Sequence, residues 1–135
     1  MQIKLDDGAI MPTKAHETDA GWDLYTPGPK YILQCGSTID TGVHVAIPDG
    51  CVGLVVGRSG LNFNRSVIVP QGTIDPGYTG SIRVRLYALN HAQSVEAGDR
   101  IAQLLVLRTE PEELELVDSL PESERGADGF GSSGR

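Results

Sequence analysis

Cysteine, aromatic residues and long apolar runs are all scarce in this sequence. Only two of the 135 residues are cysteine, and aromatic residues make up 5%. Two cysteines cannot form a disulfide framework. Neither Cys35 nor Cys51 has the spacing to a cysteine or histidine that a zinc site needs. We therefore interpret both as small apolar residues on strands.

No apolar run approaches the roughly 20 residues that a membrane-spanning helix requires. Residues 1–7 also lack the apolar stretch of a secretory leader and the character of a transit peptide. We therefore expect a protein of the reducing cytoplasm that has no membrane-embedded segment.

An excess of basic residues is also missing. The formal net charge is −7, and residues 110–135 contain eight of the 18 acidic residues but only two of the 11 basic ones. The body of the chain is therefore nearly neutral and the tail is acidic. This distribution excludes a basic surface for a nucleic-acid polymer or for an anionic membrane. A phosphate ligand would have to be bound by a few local cations, backbone amides or a metal.

Glycine and proline, by contrast, are abundant, with 17 and 8 residues. That density of chain-breaking residues favours many short segments over long helices. Apolar and polar residues alternate at 41–47 and 81–88, which is the period of half-buried strands. Further apolar runs of strand length lie at Cys51–Val56, Ser66–Val69 and Ile101–Leu107. With one short helix near Ser59–Phe63, the pattern predicts an all-β sandwich or barrel-like fold.

The composition changes after Arg108. An acidic stretch begins at Glu110, within which Leu114, Leu116 and Val117 could still form one strand. Residues 119–135 are rich in glycine and serine and cannot form a core. We therefore divide the chain into an all-β core at residues 1–118 and a flexible C-terminal arm at residues 119–135.

Two segments have the residue types that bind phosphate or metal. Arg58 and Ser59 lie between glycines at the end of a predicted strand, where guanidinium, hydroxyl and backbone N–H groups can surround a phosphate. Asp23 begins another predicted strand, and a single carboxylate can hold Mg²⁺ through its waters. The simpler interpretations are a strand-end loop and a solvated aspartate at a strand edge.

Residues 72–80 predict a tight hairpin with its turn at Pro76 and Gly77. Asp75 and Tyr78 flank that turn, so a carboxylate able to activate a water and a ring able to pack on a sugar would lie at one hairpin mouth. The alternative is that both are ordinary turn and strand residues. Gln103 is a polar residue in an apolar run and needs either a ligand or backbone partners for its amide.

No arrangement for covalent catalysis is evident. His16, His44 and His91 are far apart, and none has a carboxylate or cysteine at ligand spacing. We interpret them as structural or solvated residues. No Ser-His-Asp or Cys-His order is present, which argues against a covalent hydrolase mechanism.

Five segments occur in an order that resembles the five motifs of the trimeric dUTPase family (deoxyuridine 5′-triphosphate nucleotidohydrolases). They are residues 20–24, 57–61, 72–80, 98–104 and 125–134. The resemblance implies a distorted jelly-roll of the β-clip type that assembles as a homotrimer. It also implies hydrolysis of dUTP to dUMP and pyrophosphate with Mg²⁺, at sites shared between subunits, as part of dUMP supply and of keeping uracil out of DNA.

The resemblance also implies a role for each matched residue. Asp75 would be the general base that deprotonates the attacking water, Tyr78 would pack under the deoxyribose, and Asp23 would hold Mg²⁺ through water. The uracil edge would be read by the backbone of Gly72, Thr73, Ile74 and Asp75. The phosphate chain would be bound by Arg58, Ser59, Gly60 and Gln103, with Ser59 and Gln103 acting at the scissile bond and Arg83 as a weaker contact.

The C-terminal arm would close over a neighbouring subunit's site. Arg125 would neutralise the terminal phosphates, and Phe130 would stack on uracil. Further N–H and hydroxyl donors would come from Gly131, Ser132 and Ser133. Three positions depart from the usual family pattern: Trp22, Ser81 and Asp128.

Two alternatives share the expected fold. The first is a dCTP deaminase, possibly bifunctional, although residues 72–78 and the intact arm favour the diphosphatase. The second is a regulatory trimer that binds a protein partner. Asp75, Ser59, Gln103 and Arg125 argue that hydrolytic activity is retained.

Overall fold

The computed structural model describes residues 1–110 and 112–127, which form eleven short strands and one helix. The elements are β1 (Gln2–Leu5), β2 (Trp22–Tyr25), β3 (Lys30–Ile32), β4 (Ser37–Asp40), β5 (Val43–Ala46), β6 (Cys51–Val56), α1 (Ser59–Arg65), β7 (Val67–Ile68), β8 (Gly72–Ile74), β9 (Arg83–Ala88), β10 (Gln93–Val95) and β11 (Arg100–Arg108). The prediction of an all-β fold is confirmed, and so is the short helix.

All strand pairs between these elements are antiparallel. The largest sheet has the order β2-β11-β6-β8, and a second has the order β4-β9-β7. Two ribbons, β1-β5 and β10-β3, complete the strand set of the described residues. Strand β11 is central in the largest sheet because it pairs with both β2 and β6.

The core lies between the sheets and follows the predicted alternation. On β9, Val84, Leu86 and Ala88 are buried, whereas Arg83 and Arg85 are exposed. The largest fully buried side chains include Leu24, Ile32, Ile82, Leu86, Ile101 and Leu104. Their burial removes apolar surface from water, which is the main stabilising contribution to the fold.

The predicted hairpin at residues 72–80 is wrong in its strand pairing. The turn itself forms, because Tyr78 N donates to Asp75 O at 3.2 Å and Gly77 has φ +83°, which a glycine adopts without strain. However, β8 pairs with β6, and β9 pairs with β4 and β7. Residues 75–82 therefore cross from one sheet to the other, because the strands on either side belong to different layers. We call residues 75–80 the turn segment.

Residues 112–127 form no helix or strand. Leu114 and Leu116, which we considered for one further strand, are fully exposed at 102% and 101%. A strand needs a partner for its backbone groups, and the described part of this single chain offers none to this segment. Nor does any described helix have the length and apolar character needed to cross a membrane.

Thr41 is a buried polar residue that ties the loop after β4 to the residue before β9. Its hydroxyl donates to Ile82 O at 2.7 Å and accepts from Val43 N at 3.2 Å, and the residue is fully buried. Thr41→Val keeps the shape but leaves the Val43 N–H without this acceptor. We expect the free energy of unfolding to fall by about 1–3 kcal/mol.

Urea denaturation at one fixed protein concentration measures this loss. Thr109→Val is the matched control, because Thr109 is exposed just after β11. Equal denaturation midpoints for the two variants would contradict the structural role of the Thr41 hydroxyl.

Candidate functional site

Asp23 is a buried carboxylate that lies between two arginines. Its side chain is 11% exposed, and Oδ1 lies 2.9 Å from Arg58 Nε while Oδ2 lies 3.4 Å from Arg100 Nη1. The interpretation of Asp23 as a solvated edge residue is therefore wrong. Each carboxylate oxygen is paired with an arginine, which compensates the loss of hydration on burial.

A β-bulge in β11 brings Arg100 to Asp23. The register pairs Gln103 with Asp23 and Ala102 with Leu24, but Arg100 with Tyr25, so Ile101 is the extra residue. Ile101 and Ala102 are consecutive and both fully buried, as a bulge allows. The inserted residue puts Arg100 on the same face as Gln103, where strict alternation would have turned it away.

Gln103 lies between Asp23 on β2 and Val56 on β6. Its Nε2 donates to Gly57 O at 3.2 Å, so the amide has the backbone partner that one of our two interpretations required. A Cβ at Gly21 would lie 2.9 Å from Gln103 Oε1. The glycine therefore leaves the space that the glutamine side chain occupies.

Arg58 and Ser59 line an open cavity of about 390 Å³ where β6 passes into α1. Asn62, Phe63 and Val69 also line it, and Phe63 is 84% exposed. A Cβ at Gly60 would meet no atom within 4 Å. The chain itself therefore has room for a side chain at Gly60, and any need for glycine there must come from something that approaches this loop.

A second cavity, of about 290 Å³, lies against the turn segment. Its lining residues come from β8, the turn segment and the start of β9: Val55, Gly72, Thr73, Ile74, Asp75, Tyr78, Ser81 and Arg83. Asp75 is exposed at its rim. The Tyr78 hydroxyl donates to Ser81 O at 3.1 Å, and a Cβ at Gly80 would overlap that hydroxyl. The ring is thus held in a defined position over Gly80.

The two cavities belong to opposite ends of β6. Antiparallel pairing of Gly53 with Ile74 puts Asp75 level with Val52, at the start of β6. Ser59 follows the other end of that strand, and Val52 to Val56 alone is about 13 Å of extended chain. One chain therefore brings Asp23, Arg58, Ser59 and Gln103 to one place and Asp75 to another.

The predicted arm residues are only partly described. Arg125 is exposed in the tail segment that has no regular structure. Phe130, Gly131, Ser132, Ser133 and the departure at Asp128 lie outside the described residues. Of the other departures, Trp22 packs beneath the Lys14 ammonium, 4.3 Å from its ring centroid, and Ser81 accepts from Tyr78 through its carbonyl.

The expectation that no histidine has a carboxylate partner is wrong for two of them. His16 Nδ1 lies 3.5 Å from Asp19 Oδ1, and His44 Nε2 lies 3.0 Å from Asp6 Oδ2. The hydrogen bond between His44 and Asp6 raises the pKa of His44 and lowers the pKa of Asp6. Asp6 and His44 are far apart in sequence, so only the pairing of β1 with β5 reveals their contact.

No cluster of three or more histidine, cysteine or acidic side chains suited to a metal exists within the described ranges 1–110 and 112–127. Asp23 is already paired with two arginines. Any contact between this carboxylate and Mg²⁺ would therefore be indirect, through waters of the ion, with substrate phosphates as its main ligands.

A family model described as dUTPase matches residues 7–134 of this chain. The chain belongs to the dUTPase family. Among curated members, the deoxyuridine 5′-triphosphate nucleotidohydrolase of Mycobacterium marinum is 46% identical over 143 residues, covering 98% of this chain and 92% of the relative. The enzyme of that name from Mycobacterium tuberculosis is 45% identical over 148 residues, with the same coverage.

Solved dUTPase structures have the same fold. A dUTPase of Staphylococcus bacteriophage 80alpha with dUPNHPP matches with a TM-score of 0.90 and 34% identity, covering 99% of this chain and 98% of that one. A mutant dUTPase of phage phi11, described for its structural Mg(II) ion, matches with a TM-score of 0.81 and 26% identity, covering 87% and 96%. The expected jelly-roll type of dUTPase subunit is confirmed.

The ion-pair cluster of this dUTPase predicts a salt-dependent contribution to stability. Asp23→Asn leaves Arg58 and Arg100 without their shared counter-charge, so we expect the free energy of unfolding to fall by about 1–2 kcal/mol. Thermal unfolding at low and high salt measures the effect, with the exposed Asp7→Asn as control. The difference between the Asp23 variant and the natural sequence should shrink in high salt, and a larger difference there would argue against the ion pairs.

Proposed function

We propose that this protein is a Mg²⁺-dependent dUTP diphosphatase that hydrolyses dUTP to dUMP and pyrophosphate. The observation that carries the proposal is the cavity beside the turn segment, where the carboxylate of Asp75 and the ring of Tyr78 lie at the rim of a space of about 290 Å³. Membership of the dUTPase family and relatives named as nucleotidohydrolases support the same activity.

Strand β8 suits the recognition of uracil because it is an edge strand. It pairs with β6 on one side only, so within Gly72–Ile74 the backbone N–H and C=O groups that point away from β6 remain for a ligand. Such groups match the donor and acceptor edge of uracil but not that of cytosine, and a close fit leaves no room for a thymine methyl. A site whose buried polar groups would lose their partners can reject a wrong base by about 10⁴.

Tyr78 suits the selection of deoxyribose. Its ring is held by the Ser81 carbonyl and lies over Gly80. A sugar packed on this ring has no space for a 2′-hydroxyl, so UTP is excluded by steric conflict. Arg83, at the start of β9 in the same cavity, is a weaker contact.

The phosphates occupy the cluster built around Asp23. Arg58, Ser59 and Gly60 bind the chain of phosphates, and Gln103 contacts the α-phosphate and the attacking water. Asp23 fixes Arg58 through its Nε atom, which pre-orients the guanidinium for phosphate. When bound, Mg²⁺ supplies positive charge to the phosphates, and Asp23 holds its waters.

Asp75 acts as the general base. It takes a proton from a water while the water oxygen bonds to the α-phosphorus, and the bond from that phosphorus to the bridging oxygen breaks. Pyrophosphate leaves and dUMP remains.

Ser59 donates a hydrogen bond to the charge that develops at the scissile bond, and Arg125 neutralises the terminal phosphates. Phe130 stacks on uracil, with Gly131, Ser132 and Ser133 as further donors.

The active protein is a homotrimer whose sites are shared between subunits. Asp75 and Ser59 lie beyond opposite ends of β6, which is too far apart for both to act at one phosphorus within a single chain. A second copy that contributes its turn segment completes the site, and the arm of a third closes it. Leu114, Leu116 and Leu120 are exposed in the single chain, and assembly would bury such apolar side chains.

In the cell, this cytoplasmic activity would keep uracil out of DNA and supply dUMP for thymidylate synthesis. A second role in regulation is suggested by one observation. The phage 80alpha relatives are described as controlling the transfer of virulence genes. A regulatory trimer without hydrolysis is the alternative, as is a dCTP deaminase of the same fold.

Pyrophosphate release from dUTP, dTTP, dCTP and UTP tests the proposal directly. We expect rapid release from dUTP alone, and its loss when a chelator removes Mg²⁺. Asp75→Asn should reduce kcat by at least about 10²-fold, because proton removal from the water is lost. The variant should still bind dUTP.

Asp49→Asn is the control, because Asp49 lies on the exposed turn before β6 and lines neither cavity. Release of ammonia from dCTP would instead indicate a deaminase. No turnover of any nucleotide by the natural sequence would refute the proposal and favour the regulatory trimer. Full activity of the Asp75→Asn variant would show that another residue is the general base.

The assembly has its own test. Replacing both Leu114 and Leu116 with aspartate puts charge on side chains that the trimer would bury, so we expect dissociation and loss of turnover. Light scattering measures the mass, and Glu113→Gln with Glu115→Gln is the matched control in the same segment. A natural chain that is monomeric and turns over dUTP would contradict the shared site.

A further inference from the structure

His44 connects the turn segment to the β1-β5 ribbon. It lies on β5, and its side chain is 18% exposed. Its Nδ1 lies 2.8 Å from Thr79 O in the turn segment, and its Nε2 lies 3.0 Å from Asp6 Oδ2 in the loop after β1. One ring therefore bridges two segments that are far apart in the sequence.

Both atoms that face this ring are hydrogen-bond acceptors. A backbone carbonyl has no proton to donate, and an ionised carboxylate has none either. Each ring nitrogen must therefore carry a hydrogen for both contacts to form, and only the imidazolium ion has two. A neutral ring keeps one of the contacts and loses the other.

The Thr79 contact affects the cavity beside the turn segment, which we call the nucleoside cavity, because Thr79 is next to Tyr78 in the chain. Thr79 lies between Tyr78, whose ring lines the cavity, and Gly80, over which that ring is folded. A bond to the Thr79 carbonyl fixes the peptide group between Thr79 and Gly80, directly after Tyr78. Through this peptide group, His44 influences the position of the Tyr78 ring, although His44 itself does not line the cavity.

We propose that His44 is a positioning residue, whose doubly protonated ring holds the turn segment in the geometry that the nucleoside cavity needs. The inference deepens the proposed function and rests on it. It predicts that dUTP binding weakens when His44 loses its proton, while the chemical step is less affected.

The charged groups around His44 set the pH at which its ring loses a proton. Asp6 faces the ring, and Lys4 is the β1 partner of His44, with its ammonium 3.7 Å from Asp6 Oδ1. Further away, Asp40 at the end of β4 faces Asp6, and Arg83 faces Asp40. Asp6 outweighs Lys4, so the pKa of His44 lies above the ordinary histidine value of 6.5.

The direction of the pH dependence follows from these shifts. His44 has a raised pKa in the folded protein. Its contribution to the stability of the bridge is therefore complete below the ordinary pKa and is lost as the pH rises through the raised pKa. Asp6 has a lowered pKa, so its contribution is complete above its ordinary value and is lost only in acid. The bridge is therefore intact in weakly acidic solution and opens towards alkaline pH.

Three measurements on the full chain test the inference. Proton NMR gives the pKa of His44 without nucleotide, and hydrogen exchange gives the protection of the backbone amides of residues 77–80. Steady-state kinetics between about pH 5.5 and pH 8.5 gives KM and kcat for dUTP at saturating Mg²⁺. We expect KM to rise about fivefold through the His44 pKa, as the loss of one hydrogen bond implies.

Two variants separate a positioning role from a merely structural one. His44→Gln cannot ionise, so its KM should be high and show no step in this range. Asp6→Asn should lower the pKa of His44 and move the step in KM to lower pH by the same amount. His91→Gln is the control, because His91 is exposed and contacts Gln93 on the β10-β3 ribbon, away from both cavities.

An unchanged KM profile in His44→Gln, in an active enzyme, would overturn the inference. So would a step that stays in place in Asp6→Asn while the His44 pKa moves. If the natural sequence does not hydrolyse dUTP, the proposed function fails separately. Amide exchange at residues 77–80 then decides: no change in His44→Gln would overturn the bridge, and faster exchange would support it.

Discussion

The pairing of β11 with both β2 and β6 is the constraint on which the rest of this molecule depends. This strand brings Gln103 level with Asp23 on one side and with Val56 on the other. It thereby aligns three segments that are far apart in the sequence. The bulge at Ile101 turns Arg100 onto the same face. Without this one strand, the acidic and basic groups of the cluster around Asp23 would have no common location.

Charge balance inside that cluster explains why it can be partly buried. Asp23 alone would lose much hydration energy in the interior, and two arginines offset the loss. The trio has a net positive charge, which suits an anionic phosphate chain. The acidic residues between positions 112 and 124 lie in a segment without regular structure, outside the strands that hold this trio.

The second cavity depends on a different feature, namely the edge position of β8. An edge strand usually invites unwanted pairing, but here it leaves backbone groups available beside Asp75 and Tyr78. The turn segment that follows crosses between sheets, and His44 bridges it to the β1-β5 ribbon. This cavity and the cluster around Asp23 lie towards opposite ends of β6.

The strand content, the short helix and the alternating core could be predicted from the sequence because they depend on local periodicity. Val84, Leu86 and Ala88 face the core as their spacing indicates. The candidate residues of the motifs were also visible, because five short segments in order are recognisable without coordinates. The pairing of β8 with β6, the bulge at Ile101 and the contact of His44 with Asp6 were not. Each of these depends on which distant strand supplies the partner, and a hydrogen-bond register between distant segments leaves no local pattern in the chain.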